Sequence, residues 1–197
     1  MIRYRWHRYN NITRLKVRKF FEVKTPHLIF DYLLGTSTMQ NHWENIYKTK
    51  DTSKVSWYQE TPTASLDLIS RATKETDRLI DIGGGASSLW HNLIDKGYSN
   101  ISVLDISNVA LEIARSQQPE NAKNVEWIVT NVLDYNFPNS YYSIWHDRAV
   151  FHFLNSDAEK KIYVHQAAKA IKPGGVLIVG TFSIHGPQQC SNLPVSR

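Results

Sequence analysis

Asp81 stands two residues before three consecutive glycines, Gly83, Gly84 and Gly85, in the stretch LIDIGGGASSL. Without a Cβ the backbone can turn sharply there and lie directly against a ligand. An apolar run precedes the glycines, and Leu89, Leu93 and Ile94 recur at helical spacing after them, so the cluster reads as a strand-to-helix turn. A dinucleotide would lay its pyrophosphate on such a helix N-terminus. A carboxylate at position 81 would repel it, and Ser88 stands where the dinucleotide fingerprint has its third glycine. A ligand without phosphate, carrying an ammonium group near the glycines, suits Asp81. A second group of candidates is WHDRAVFHFL, residues 145–154. His146 and Asp147 sit at a strand end, where they could touch a cofactor or act as a base; Asp147 could equally pair with Arg148 or cap the following turn. His152 is read as a packed histidine or as a contact to substrate. Trp43, Tyr47, Trp57 and Tyr58 could line a water-excluding pocket for a cation or cover a core. Phe182, Ser183 and His185 follow the last apolar run. The eight histidines are scattered, with no HxxxH and no carboxylate cluster, so no metal site is expected.

These groups need a scaffold, and the chain alternates strand-like and helical segments. Strands are expected over 77–82, 101–106, 125–134, 141–147 and 176–182. Between them lie helices: a short one over 42–47, one after Thr61-Pro62 through about Lys74, one from Leu89 to Gly97, one capped by Ser107, and a long one from the capping box Ser156/Glu159 to about Lys172. Pro173-Gly174-Gly175 reads as a turn. Strands alternating with helices imply an α/β, doubly wound, mostly parallel sheet with helices on both faces. Its ligand belongs beyond the carboxyl ends of the strands, where strand order reverses.

On these residues the chain resembles the class I S-adenosylmethionine-dependent methyltransferases. Asp81-Ile82-Gly83-Gly84-Gly85 is similar to the family's first motif. The resemblance implies that Asp105, at the end of the second strand, binds the ribose hydroxyls and that Ile106 packs on the adenine. Asn131 then takes the place of an acid that accepts from the adenine amino group, a departure from the family, with the Val132 amide beside it and Asp134 as second choice. His146 falls where the family places residues near the sulfonium. WHDRAVFHFL, HWENIY and SWYQ are also similar to segments of small bacterial members, and KPGGVLIVGTF resembles the family's helix-turn-fifth-strand passage. The resemblance covers about residues 42–190 and implies S-adenosylmethionine as cofactor. The methyl acceptor stays open between a small molecule and a protein side chain or terminus, with Trp57, Tyr58, His152 and Phe182 as candidate contacts and His146 and Asp147 as catalytic candidates. A nicotinamide-dependent oxidoreductase on the same strand-glycine-helix geometry is the competing enzyme class.

Composition sets outer limits. At 197 residues, 42 % apolar and 21 % charged, the chain suits one globular domain. No run is long and apolar enough for a membrane span. One cysteine, Cys190, points to a reducing, cytoplasmic setting. The net charge of +5 is uneven: residues 1–38 hold eight Lys and Arg against two acids, whereas 39–197 hold 15 against 16. The near-neutral remainder gives no electrostatic case for nucleic acid. The basic leader reads as an organelle-targeting segment, an RNA- or membrane-contacting arm, or an extension upstream of a start at Met39. The domain is therefore expected to occupy 39–197 and to fold without the leader. Its relatives by resemblance add a sixth and seventh strand, for which the 15 residues after Phe182 leave no room. The fifth strand is accordingly expected to be an open edge, and a weakly active or non-catalytic cofactor-binding domain is the alternative function.

Overall fold

The computed structural model describes residues 7–9, 12–15 and 29–196, with side chains from Thr38 onward. The side chains of 1–37, on which the targeting and contacting readings of the leader rest, lie outside the described residues. In chain order the elements are β1 (His7–Tyr9), β2 (Ile12–Leu15), α1 (Ile29–Thr49), α2 (Thr63–Ser70), β3 (Leu79–Ile82), α3 (Leu89–Asp95), β4 (Ile101–Asp105), α4 (Asn108–Gln117), α5 (Pro119–Ala122), β5 (Val125–Val129), β6 (Tyr142–Arg148), α6 (Asp157–Ala170), β7 (Ile171–Gly180), β8 (Gln189–Cys190) and β9 (Leu193–Pro194).

The five expected strands are present as β3 to β7 and run parallel in the order β7-β6-β3-β4-β5. Strand order reverses at β3, which pairs with β4 on one side and β6 on the other. Period-2 alternation sends successive residues of β3 to opposite faces. Leu79 joins Leu66 and Ile69 of α2, Leu89, Trp90 and Leu93 of α3, and Leu111 and Ala114 of α4. Ile80 and Ile82 pack instead with Trp145, Leu154, Tyr163, Ala167 and Ala170 on the side of α6. Helices thus cover both faces.

Local signals place most helix ends. The Ser107 hydroxyl accepts the Ala110 amide at 3.1 Å, and the Ser156/Glu159 capping box opens α6. Three expectations are corrected. The helix expected over 42–47 is part of the 21-residue α1, which passes unbroken through Met39. Pro62, without a side-chain cap, occupies the cap position of α2 rather than its first turn. Pro173-Gly174-Gly175 does not end the ladder: β7 begins at Ile171, and the register shifts between Tyr142↔Ile171 and Ile144↔Val176. The inserted residues bulge there, with Gly174 at φ 82°.

The edge of β7, expected to be open, is paired. β2 lies antiparallel to it with Ile12↔Gly180, Thr13↔Val179, Arg14↔Ile178 and Leu15↔Leu177, and β1 extends the sheet beyond β2 to seven strands. A strand preceding the parallel unit therefore satisfies the backbone groups that an edge would leave unpaired. Removal of residues 1–15 should consequently expose β7. Size-exclusion chromatography with light scattering should then show association or aggregation of the shortened chain, with a lowered melting midpoint; a monomer of unchanged midpoint would show that β2 is dispensable.

Candidate active site

A cavity of about 530 Å³ opens beyond the carboxyl ends of β3, β4 and β6, the crevice where open α/β sheets bind ligands. The glycine loop forms its floor. Gly83 and Gly85 have φ of 65° and 46°, conformations that side-chain-bearing residues rarely adopt. A Cβ on Gly83 would run into Val150, and one on Gly85 would lie 2.7 Å from the Tyr47 hydroxyl and 3.1 Å from Asp105 Oδ2. The loop amides are already used within the protein. Those of Gly83 and Gly84 donate to the Leu104 carbonyl at 2.7 and 3.2 Å, and that of Gly85 donates to Asp105. They form no nest for a pyrophosphate, which counts against a dinucleotide.

The surroundings of the loop are acidic. Asp105 is 6 % exposed, and its Oδ1 accepts the Ser107 amide at 2.8 Å. Burial, reinforced by the charges of Asp81 and Glu44, pushes its carboxyl up to about 7. Glu44 itself reaches over from α1 to accept the Asn108 amide at 2.7 Å, capping α4 and holding α1 across the cavity. Asp81 is 3 % exposed and also lines the cavity. A ligand that brings positive charge and hydroxyl donors suits this ground; an anion does not.

The sequence candidates divide into two groups. Asp81, Gly83, Gly84, Asp105, Ile106, Asn131, Val132, His146, Trp57, Tyr58, His152 and Phe182 share the cavity wall, with Gly85 beneath Tyr47 at its edge. Asp147 does not reach it. That carboxylate is fully buried and accepts the Val150 amide at 2.8 Å, the Phe151 amide at 3.1 Å and the Tyr163 hydroxyl at 2.5 Å. Burial raises its carboxyl to about 6. Asp147 is thus the cap of the following turn, and its candidacy as a catalytic base is corrected: its lone pairs are occupied away from the cavity. His146 is likewise committed. Its Nδ1 lies 2.6 Å from Asp81 Oδ1 and its Nε2 2.9 Å from Ser65 Oγ. Both ring nitrogens are therefore engaged within the protein. The imidazole fixes Asp81 and carries no free base toward an acceptor.

Asn131 uses its side-chain oxygen to accept the Leu133 amide at 3.0 Å, closing an Asx turn that sets Val132 against the cavity. Asp134 is exposed and off the wall. Ser183 and His185 do not line it either.

At the other end the wall is aromatic. Trp43 stands edge-on to Trp57 and Phe153, with centroids 6.0 and 5.2 Å apart. His152 stacks on Phe182 at 4.8 Å and 7°. Neither nitrogen of this 1 %-exposed ring has a hydrogen-bond partner, and burial lowers its pKa to about 4, so it stays neutral. Residues that sequence reading left out also belong to the wall: Arg148, Gln59, Ser87, Phe153 and Cys190. Arg148 stands two places past His146, and the sequence suggests only Asp147 as its partner; its actual partners, in the loop before α2, are some ninety residues away in sequence, beyond any local signal.

The doubly wound sheet, the glycine loop after its first parallel strand and the carboxylate ending its second together form the Rossmann-like α/β arrangement of the methyltransferase fold. Residues 79–175 match the family model described as a methyltransferase domain. The chain is 21 % identical over 140 residues to the eEF1A lysine and N-terminal methyltransferase of Bos taurus, a match covering 71 % of this chain and 20 % of that protein. It thus spans about a fifth of the length of the curated relatives it matches. Among solved structures, an S-adenosylmethionine-dependent methyltransferase of Methanosarcina mazei superposes with a TM-score of 0.51 at 24 % identity, over 57 % of this chain and 55 % of that one. Phosphoethanolamine N-methyltransferase 2 of Haemonchus contortus, in complex with S-adenosyl-L-methionine, gives 0.54 at 20 % identity, over 72 % of this chain and 32 % of that one. Among the described residues no helix is long and apolar enough to cross a membrane.

Replacing His146 by Ala strands both Asp81 and Ser65 without their buried partner. Each buried polar group left unsatisfied costs about 1–3 kcal/mol, so His146→Ala should lose about 2–4 kcal/mol of unfolding free energy in urea titration. A loss below about 0.5 kcal/mol would show that the network carries no such constraint.

Proposed function

We propose that this protein transfers a methyl group from S-adenosylmethionine to an amino group of a protein, a lysine side chain or a chain terminus. One observation carries the cofactor half of the reading: two buried carboxylates, Asp81 and Asp105, converge on a glycine loop whose amides are turned inward. Asp105 suits the two vicinal ribose hydroxyls as an acceptor, and Asp81 suits the ammonium of the methionine part. Ile106 and Val132 offer the apolar walls for the adenine, with the Asn131 turn beside them. The acceptor half rests on the aromatic end of the cavity and on the distant relatives, which are named as lysine and N-terminal methyltransferases.

When bound, the cofactor supplies an activated methyl on a sulfonium, open to direct displacement by a nitrogen lone pair. The chain's contribution is alignment and exclusion of water. Trp43, Trp57, Phe153 and Phe182 form a wall that stabilises positive charge through ring faces and keeps the nucleophile desolvated. Asp147 is sealed in its turn, His146 is bound to Asp81 and Ser65, and His152 is held neutral by burial. No side chain of the wall is therefore assigned to strip a proton from an ammonium, and the acceptor enters as the free amine.

Two outcomes follow. Isotopically labelled S-adenosylmethionine, incubated with the protein and a purified translation elongation factor 1A, should place label on lysine or the N-terminus, read by peptide mass spectrometry. Its rate should rise about tenfold per pH unit below the pKa of the acceptor amine; label on small amines alone would overturn the protein acceptor. Separately, the ionised form of Asp105 is the better acceptor for ribose hydroxyls. Since burial raises its carboxyl to about 7, binding of S-adenosylhomocysteine draws the proton off, and affinity should fall about tenfold per unit as pH drops below 7. Calorimetry should show that slope in the wild type and its loss in Asp105→Asn; a pH-independent wild type would remove Asp105 from the ribose.

A further inference from the structure

The segment between α1 and α2 faces the β8–β9 hairpin across an open groove of about 690 Å³. Lys50, Lys54 and Ser56 line one side of it, and Gln189, Ser191 and Asn192 the other. The groove leads away from the aromatic end of the cavity. Val55, Ser56 and Trp57 line both, and Cys190, on the cavity wall, stands between Gln189 and Ser191 of the groove. Trp57 in turn meets Trp43 edge-on. A free small amine would need the cavity alone. A polar trench running from its mouth fits the chain on either side of a target residue. An extended peptide carries one donor and one acceptor at each residue, and the exposed side-chain amides of Gln189 and Asn192 supply both kinds.

The charges along the trench are not balanced. Its ionisable lining is two lysines and one aspartate. Asp51 is engaged locally: it accepts the Ser53 amide at 3.0 Å and hydroxyl at 2.7 Å, and it pairs with Lys54 Nζ at 3.0 Å. Lys50 is exposed and, among the described residues, makes no ion pair. Burial raises the Cys190 thiol, and Lys50 is close enough for its charge to act against that rise, which sets it beside the mouth. We propose that this groove holds the peptide segment flanking the target amine, in extended form, and that Lys50 selects an acidic side chain of that segment. The assignment rests on the protein-amine reading above and adds to it a sequence preference. Trp57 is the point where the target side chain turns out of the groove and into the aromatic end of the cavity.

The probes are short fluorescein-labelled peptides with one central lysine, flanked by Glu, Gln or Lys in an otherwise identical sequence. Their affinity for the full chain is read by fluorescence anisotropy in the presence of S-adenosylhomocysteine, and their methylation is followed separately. Wild type should bind the Glu peptide about two- to fivefold more tightly than the Gln peptide, the scale of one exposed ion pair, and the Lys peptide least tightly. The preference should shrink at high salt, where exposed charges are screened. Lys50→Glu should invert the order, with its affinity for S-adenosylhomocysteine intact as the check that it folds. Gln189→Trp, which fills the groove from the hairpin side, should weaken all three peptides together. Affinities indifferent to the flanking charge, or an order that survives Lys50→Glu, overturn the proposal. So does undiminished peptide binding by Gln189→Trp, which would place the flanking chain elsewhere. A Glu preference that Lys50→Glu inverts, with no methyl reaching any peptide, would support the groove and sink the protein-amine reading. Methylated peptides without a flanking preference would overturn this inference alone.

Discussion

Keeping the Asp81 carboxylate buried at the end of β3 is the constraint on which the site depends. An unpaired charge in that position would be costly. The answer is a relay across three elements: Asp81 on β3, His146 on the neighbouring β6 and Ser65 on α2, with contacts of 2.6 and 2.9 Å. The relay ties α2 to the point where strand order reverses. It also leaves the glycine loop free to turn inward, because its amides go to Leu104 and Asp105 and not to a ligand. The acidic floor of the cavity is a consequence of this arrangement.

The fold protects that floor from above with segments that come before the parallel sheet. Glu44 of α1 caps α4, Tyr47 places its hydroxyl over Gly85, and Trp57 and Gln59 orient Arg148. Burial then adjusts each ionisable group in the direction its surroundings dictate: Asp105 and Asp147 upward, His152 downward. A cavity with two buried acids, one oriented guanidinium and a neutral imidazole among aromatic rings is suited to a zwitterionic, positively charged cofactor and to a desolvated amine. It is poorly suited to a phosphate-bearing one.

At the other sheet edge, β2 supplies to β7 the antiparallel neighbour that the residues after Phe182 do not. Those later residues do something different. β8 and β9 form a hairpin with Ser191 and Asn192 at φ 50° and 63°, the signs a tight two-residue hairpin turn requires. The Ser196 amide donates to the His152 carbonyl at 2.7 Å, fastening this segment beside the aromatic wall.

What could be read from the sequence is what short-range chemistry controls. The five parallel strands, the glycine turn with Asp81 before it, the Ser107 cap and the Ser156/Glu159 box all rest on residues within a few positions of one another, and the side-chain periods of strand and helix make them visible. Several cofactor candidates lay on the cavity wall for the same reason, since strand ends and the turns after them converge at the switch point. Which polar side chain is spent on structure and which faces the cavity was decided only by tertiary packing. His146 and Asp147 are neighbours in sequence, yet the pleat sends one to Asp81 and Ser65 and the other to Tyr163 on the opposite face. Arg148 is held by Trp57 and Gln59, and β7 is covered by β2, across separations of some ninety residues or more. Such contacts leave no periodic trace in the chain, because they exist only once the sheet has brought distant segments together.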